Sequence, residues 1–229
     1  IPIVVAAIGL LGTLVSLAFS LRADRKVKRL ELQAEHSQTV ADLTEKYSQP
    51  ILVAAYDLQQ RLYELVEYPI SRQHLSKVDG LDDLKIYTCY LLAQYLVFTH
   101  ILRTQTGYLS FTENTKLKKL RKQMYMIDEE LDRRRDPAGW NVGVWPAARV
   151  LVCERMILKR GDLNDALDGG FGIEVKGFNE FRKEWADQFK QPMGYFCEWI
   201  DNMLEGRLEE QPYSDAPMRV LQHLLVDLI

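Results

Sequence analysis

The chain has 229 residues, 47% of them hydrophobic, and a formal net charge of −3. That length admits one ordinary domain plus a terminal segment, with enough apolar material for a sizeable core. The near-neutral balance excludes the broad basic footprint of a nucleic-acid binder, and no nucleic-acid partner is expected.

Residues 1–21, IPIVVAAIGLLGTLVSLAFSL, contain no charged side chain. About twenty apolar residues rising ~1.5 Å each cross a hydrocarbon core of ~30 Å. A cleaved signal peptide has its basic segment before a shorter apolar core. Here the charge follows, in Arg22, Arg25, Lys26, Lys28 and Arg29, with Asp24 among them. A buried core helix is the competing reading, but a terminal uncharged run closed by a basic cluster fits it poorly. The segment therefore reads as a single-pass transmembrane helix with the lipid bilayer as its partner. By the positive-inside rule the rest of the chain lies on the cytoplasmic side, or on the stromal or matrix side of an organelle. Gly12, Ser16 and Ser20 recur every four residues, with Gly9 beside them. Small residues so placed form a helix-packing face in membranes, although they are also common in membrane helices generally.

Residues 22–46 are polar and free of Gly and Pro, with Val27, Leu30, Ala34, Val40 and Leu43 as sparse apolar points. They predict a basic helical stalk. A domain over residues 47–229 follows. Its opening sequence Tyr47, Ser48, Gln49, Pro50 predicts a helix start, with Ser48 as N-cap and Pro50 in the first turn. Ile51, Ala55, Leu58, Leu62 and Leu65 keep helical spacing until Pro69. A second helix is predicted over residues 81–109. Its stretch 90–102 is apolar on nearly every face and, at thirteen residues, too short to span a membrane, so it is the expected central core helix. A charged helix over 112–135 presents Leu117, Leu120, Met124, Ile127 and Leu131 on one side, and Asp136, Pro137, Ala138 and Gly139 break it. An apolar stretch over 144–158 and a loop containing Gly169, Gly170 and Gly172 come next. Helices over 178–189, 193–204 and 218–229 complete the chain. No convincing strand alternation is present, so the predicted fold class is all-α: an N-terminal transmembrane helix followed by a helical bundle.

Little in the sequence carries chemistry. His36, His74, His100 and His223 lack metal-ligand spacing, so no metal site is expected. The Gly169 loop matches neither phosphate-binding pattern, and no cofactor is expected. Cys89, Cys153 and Cys197 are odd in number and far apart, which suggests a reducing compartment and small buried hydrophobes rather than a disulfide framework. No catalytic residue stands out. Asp57 and Arg61 lie four apart on one helix face and can pair. Gln94 and His100 on the next helix make these four a polar core or, less simply, a ligand pocket. Lys116, Lys118, Lys119, Arg121 and Lys122 form a basic stretch that reads either as a patch for anionic headgroups or as a solvated face. The last third of the chain is acidic.

Three segments carry a resemblance. Tyr47, Ser48 and Pro50 with Ala54, Ala55, Asp57, Leu58, Gln59, Arg61, Leu62 and Tyr63 form the first. Leu91, Leu92, Ala93, Gln94, Tyr95 and Leu96 form the second, and Leu221, Gln222, His223, Leu225, Val226, Asp227 and Leu228 the third. Together they resemble an uncharacterised family of bacterial-type single-pass membrane-anchored helical proteins with no known activity. The resemblance implies an anchored helical fold and carries over no catalytic residue. The leading functional expectation is a non-enzymatic accessory, linker or scaffold subunit of a larger membrane assembly, photosynthetic or respiratory complexes being examples. Its partners would be other membrane subunits. The alternatives are a membrane-anchored sensor or enzyme with a pocket in the bundle, and a membrane-surface binder.

Overall fold

The computed structural model describes residues 2–67, 80–106, 115–132, 143–160, 173–204 and 216–229; within the first helix the side chains of residues 2–19, 21, 23, 36, 40, 43 and 44 are outside this set. The fold is mostly helical, as the periodicities require. Helix α1 spans Pro2–Glu67, α2 Gly80–Thr106, α3 Thr115–Asp132 and α4 Pro146–Met156. Strands β1, Ile157–Arg160, and β2, Ile173–Val175, lead to α5, Phe178–Lys183, and then to a π-helical turn over Trp185–Phe189. Helices α6, Gly194–Leu204, and α7, Ala216–Leu228, close the chain. Two units result, Ile1–Thr44 and Glu45–Ile229.

Among the described residues no helix is long and apolar enough to cross a membrane. The expected span over residues 1–21 lies, but for Ser20, among the side chains outside that set.

Two expectations about local structure are corrected. The helix predicted to start at Ser48 is instead the continuation of α1, with Pro50 in its interior. Ser48 does not cap; its hydroxyl donates back to the carbonyl of Glu45 at 3.1 Å. An interior proline costs about 3 kcal/mol in lost hydrogen bonding and steric conflict. Here it is flanked by Tyr47, Ile51, Ala54, Ala55 and Leu58, all buried, and burying side chains of this kind contributes about 1.5–3 kcal/mol for each large one. Packing outweighs the local penalty. The second correction is a small antiparallel sheet: β1 and β2 pair through Ile157 with Val175 and Arg160 with Ile173, with a bulge before Lys159. The apolar stretch predicted over 144–158 is thus a helix that ends at Met156, where Ile157 turns to extended backbone.

The domain is organised around α2. From Tyr90 to Leu102 its residues are buried except Gln94, Phe98 and His100, so helices pack on several of its sides: α4, α5 and α6 all contact it, while α3 and α7 contact each other. Two threonines interrupt this apolar surface at little cost. Thr88 and Thr99 return their buried hydroxyls to Leu84 and Leu96 carbonyls at 2.8 and 2.9 Å, the usual way a helix satisfies such groups internally. An aromatic cluster joins α2 to α5, with Tyr90 5.5 Å from both Phe178 and Phe181 and Phe181 4.3 Å from Phe189. Offset ring pairs of this kind each contribute about 0.5–1.5 kcal/mol beyond burial. At the N-terminus of α5 the Glu180 carboxylate accepts the Gly177 N–H at 3.2 Å, closing the first turn.

Candidate functional site

The residues singled out from sequence are carried by α1, α2 and α3. On α1, Ser20, Arg22, Arg25, Lys26, Lys28 and Arg29 are exposed. The surroundings of Gly9, Gly12 and Ser16, where the helix-packing face is expected, lie outside what the structure describes.

The expected Asp57–Arg61 pair is replaced by another. Arg61 Nη1 meets Glu64 Oε2 at 2.9 Å, and its Nε donates to Thr88 Oγ1 at 3.2 Å across to α2. A residue three positions on offers the carboxylate as readily as one four back. Asp57 is half-buried and faces Tyr90 instead. Burial pushes the Tyr90 phenol up, with Tyr87 and Asp57 adding to it and a Gln94 hydrogen bond opposing. Gln94 also lines a groove of about 420 Å³, walled by Gln49, Pro50, Val53, Ala54 and Phe98. His100, half-buried, lies six residues beyond Gln94, so about 9 Å further along α2 and turned by about 240°. Of the four residues, Gln94 lines this groove.

The basic stretch on α3 divides in the same way. Lys118, Lys119 and Lys122 are exposed, whereas Arg121 is half-buried; burial first, and Arg103 second, lowers its pKa. The Lys116 side chain lies outside the described residues. Further along α3 the charges are structural: Asp128 receives Arg103 of α2 at 2.5 Å and Arg149 of α4 at 3.2 Å, and Arg149 also holds Asp132 at 2.8 Å.

A cleft that sequence reasoning missed lies between α2 and the segment from the π-helical turn through α6. Its volume is about 470 Å³, and Lys85, Trp185, Lys190, Gly194, Cys197 and Asp201 are among its lining residues. Lys85 Nζ binds both Asp201 oxygens, at 2.8 and 3.2 Å. Burial alone would lower the Lys85 pKa, but the hydrogen bond and charge of Asp201 outweigh it and the net shift is upward. Behind this pair Cys89 of α2 meets Cys197 of α6, sulfur to sulfur at 3.4 Å, both thiols buried and free. Burial and the Cys197 contact push the Cys89 thiol well up. Cys153 is buried on α4, and burial pushes its thiol up to about 12. Amphipathic periodicity places Cys89 and Cys197 each on an inward helix face, and that was the one available signal. Nothing in it says that the two faces meet.

Among the described residues no group of His, Cys, Asp and Glu side chains is arranged to hold a metal ion. The chain matches no protein-family model, no curated protein and no solved structure.

Proposed function

We propose that this chain is a membrane-anchored, non-enzymatic accessory or scaffold subunit of a larger membrane assembly, its domain on the cytoplasmic or organelle-interior side. The observation that carries the reading is that one helix, Pro2–Glu67, contains the uncharged run, the exposed basic flank and a bundle-forming segment. The run of 21 uncharged residues rises about 31 Å as a helix, the thickness of a hydrocarbon core. Arg22, Arg25, Lys26, Lys28 and Arg29 then hold the following domain on the side where basic residues are retained.

The surface of the domain supports docking. Val53, Tyr56 and Tyr63 recur at helical spacing on α1 and are all exposed, the first two by more than half. Trp145 and Tyr195, both exposed, stack with ring centroids 6.3 Å apart. Large apolar side chains gathered at a surface mark places where another protein packs. The resemblance to single-pass anchored proteins points the same way.

Gently solubilised membranes run on a native gel, with mass spectrometry of co-migrating chains, provide the test. The chain is expected in a large complex. Gly12→Leu with Ser16→Leu keeps the segment apolar but blocks close helix approach, and should release the chain from that complex. Val53→Glu with Tyr56→Glu should weaken it from the domain side. Migration of the unmodified chain at monomer size would sink the subunit reading. Digestion of the domain by protease added to sealed, right-side-out vesicles would reverse the topology.

A further inference from the structure

We propose that Cys89 and Cys197 are a reversible oxidation site, closing to an intramolecular disulfide when a hydroperoxide enters the cleft at Cys197. The two sulfurs touch at 3.4 Å although 108 residues separate them in the chain. A disulfide needs ~2.05 Å, so closure asks for about 1.3 Å of approach. The helices that carry the two sulfurs, α2 and α6, are already in direct contact.

The two thiols are unequally placed, and that sets the order of events. Cys197 lines the cleft, whereas Cys89 is fully buried behind it. The peroxide therefore meets Cys197 first. Its sulfur attacks one oxygen of hydrogen peroxide, the O–O bond breaks, and Cys197 becomes a sulfenic acid as the other oxygen leaves as water with the proton that the thiol gives up. Lys85 lines the same cleft and carries its charge firmly, held by Asp201, so it can stabilise the negative charge growing on the departing oxygen. Cys89 then attacks the Cys197 sulfur. The S–S bond forms, the S–O bond breaks, and the hydroxyl leaves with the Cys89 proton as a second water. Two thiols and one hydrogen peroxide give one disulfide and two waters, the sulfurs losing the two electrons that the peroxide gains. A buried partner at contact distance favours this second step over further oxidation, since the sulfenic sulfur is trapped before another peroxide arrives. Cys153, buried on α4, serves as an internal reference.

The bond would tie α2 to α6 across a long loop. Links that close long loops restrict the unfolded chain most, so the oxidised form should melt roughly 5 °C or more above the reduced one. The experiment treats the full chain in detergent micelles with hydrogen peroxide, alkylates the remaining thiols, and maps the peptides. A Cys89–Cys197 linkage is expected, about 2 Da below the mass of the two reduced peptides and restored by a dithiol reductant. Cys153 should remain alkylatable, and Cys153→Ala should not alter the linkage. In Cys89→Ser, Cys197 should stop at the sulfenic acid or go on to sulfinic acid. The proposal is overturned if both thiols stay alkylatable in the unmodified chain, or if oxygen adds to Cys197 without linkage. Linkage between two chains, or one involving Cys153, overturns it equally.

Discussion

Lys85 and Asp201 lie 116 residues apart, yet the Lys85 ammonium is clamped to both oxygens of the Asp201 carboxylate. The partners are unequally sheltered, with side chains 16% and 46% exposed respectively. Removing Asp201 strands an ammonium that is mostly out of water, whereas removing Lys85 leaves a carboxylate that water can still reach. Asp201→Ala should therefore cost about 1–2 kcal/mol and Lys85→Ala less, read from urea midpoints at neutral pH. Equal losses would mean that the shelter of Lys85 has no energetic weight.

The same pair makes a pH prediction. The folded pKa of Lys85 is raised above its ordinary value of 10.5. The folded state therefore binds that proton more tightly than the unfolded chain. The associated stability is fully present below pH 10.5 and is lost as the pH rises through the folded pKa. Burial also raises Tyr47, Tyr90 and Tyr95, which steepens the alkaline loss in every variant. The readout is thus a difference: between pH 9 and about pH 11.5, Asp201→Asn should lose less stability than the unmodified chain. Parallel curves would exclude Asp201 as the cause of the Lys85 shift.

Arg61 tests which polar contacts hold α1 to α2. It bonds Thr88 and Glu64 and is largely buried. Arg61→Ala should cost about 2 kcal/mol through lost hydrogen bonds and lost packing of its stem. In double-mutant cycles Glu64 should couple to Arg61 by about 0.5 kcal/mol, and Asp57 by close to zero. A larger coupling to Asp57 would restore the pairing expected from their spacing.

Asp128 ties three helices, receiving Arg103 from α2 and Arg149 from α4. Its side chain is 17% exposed and that of Arg149 13%, so Asp128→Ala leaves a guanidinium largely out of water. A loss of about 2–4 kcal/mol is expected, against less than about 1 kcal/mol for Asp132→Ala at the more exposed end of the network. A thermal midpoint equally affected by the two substitutions would contradict this ranking.

Pro50 stands inside a helix that its neighbours impose. Pro50→Ala restores a backbone donor to the Lys46 carbonyl and removes the ring, and should raise stability by about 1–3 kcal/mol with a higher helical circular dichroism signal. Destabilisation would show that the ring, half-buried against the groove that Gln94 and Phe98 line, contributes more than the missing bond.

The sequence alone determined most of the helical segments and which of their faces turn inward. Ile51, Leu58, Leu62, Met124, Ile127 and Leu131 recur at helical spacing and are buried, and the apolar centre of α2 marked it as the middle of the bundle. Such features are legible because helix periodicity is local, and burial follows from the chemistry of each side chain. The uncharged run and its basic flank are legible for the same reason. Tertiary structure decided what meets what. It carried α1 through Pro50, because burial summed over a whole face exceeds one local penalty. It gave Arg61 to Glu64 and Thr88 rather than to Asp57, because a side chain takes the partners that packing brings within reach. It also set Cys89 against Cys197 and Lys85 against Asp201 across more than 100 residues. One-dimensional spacing states only that each of these positions faces inward; the docking of α6 on α2 determines which inward faces touch.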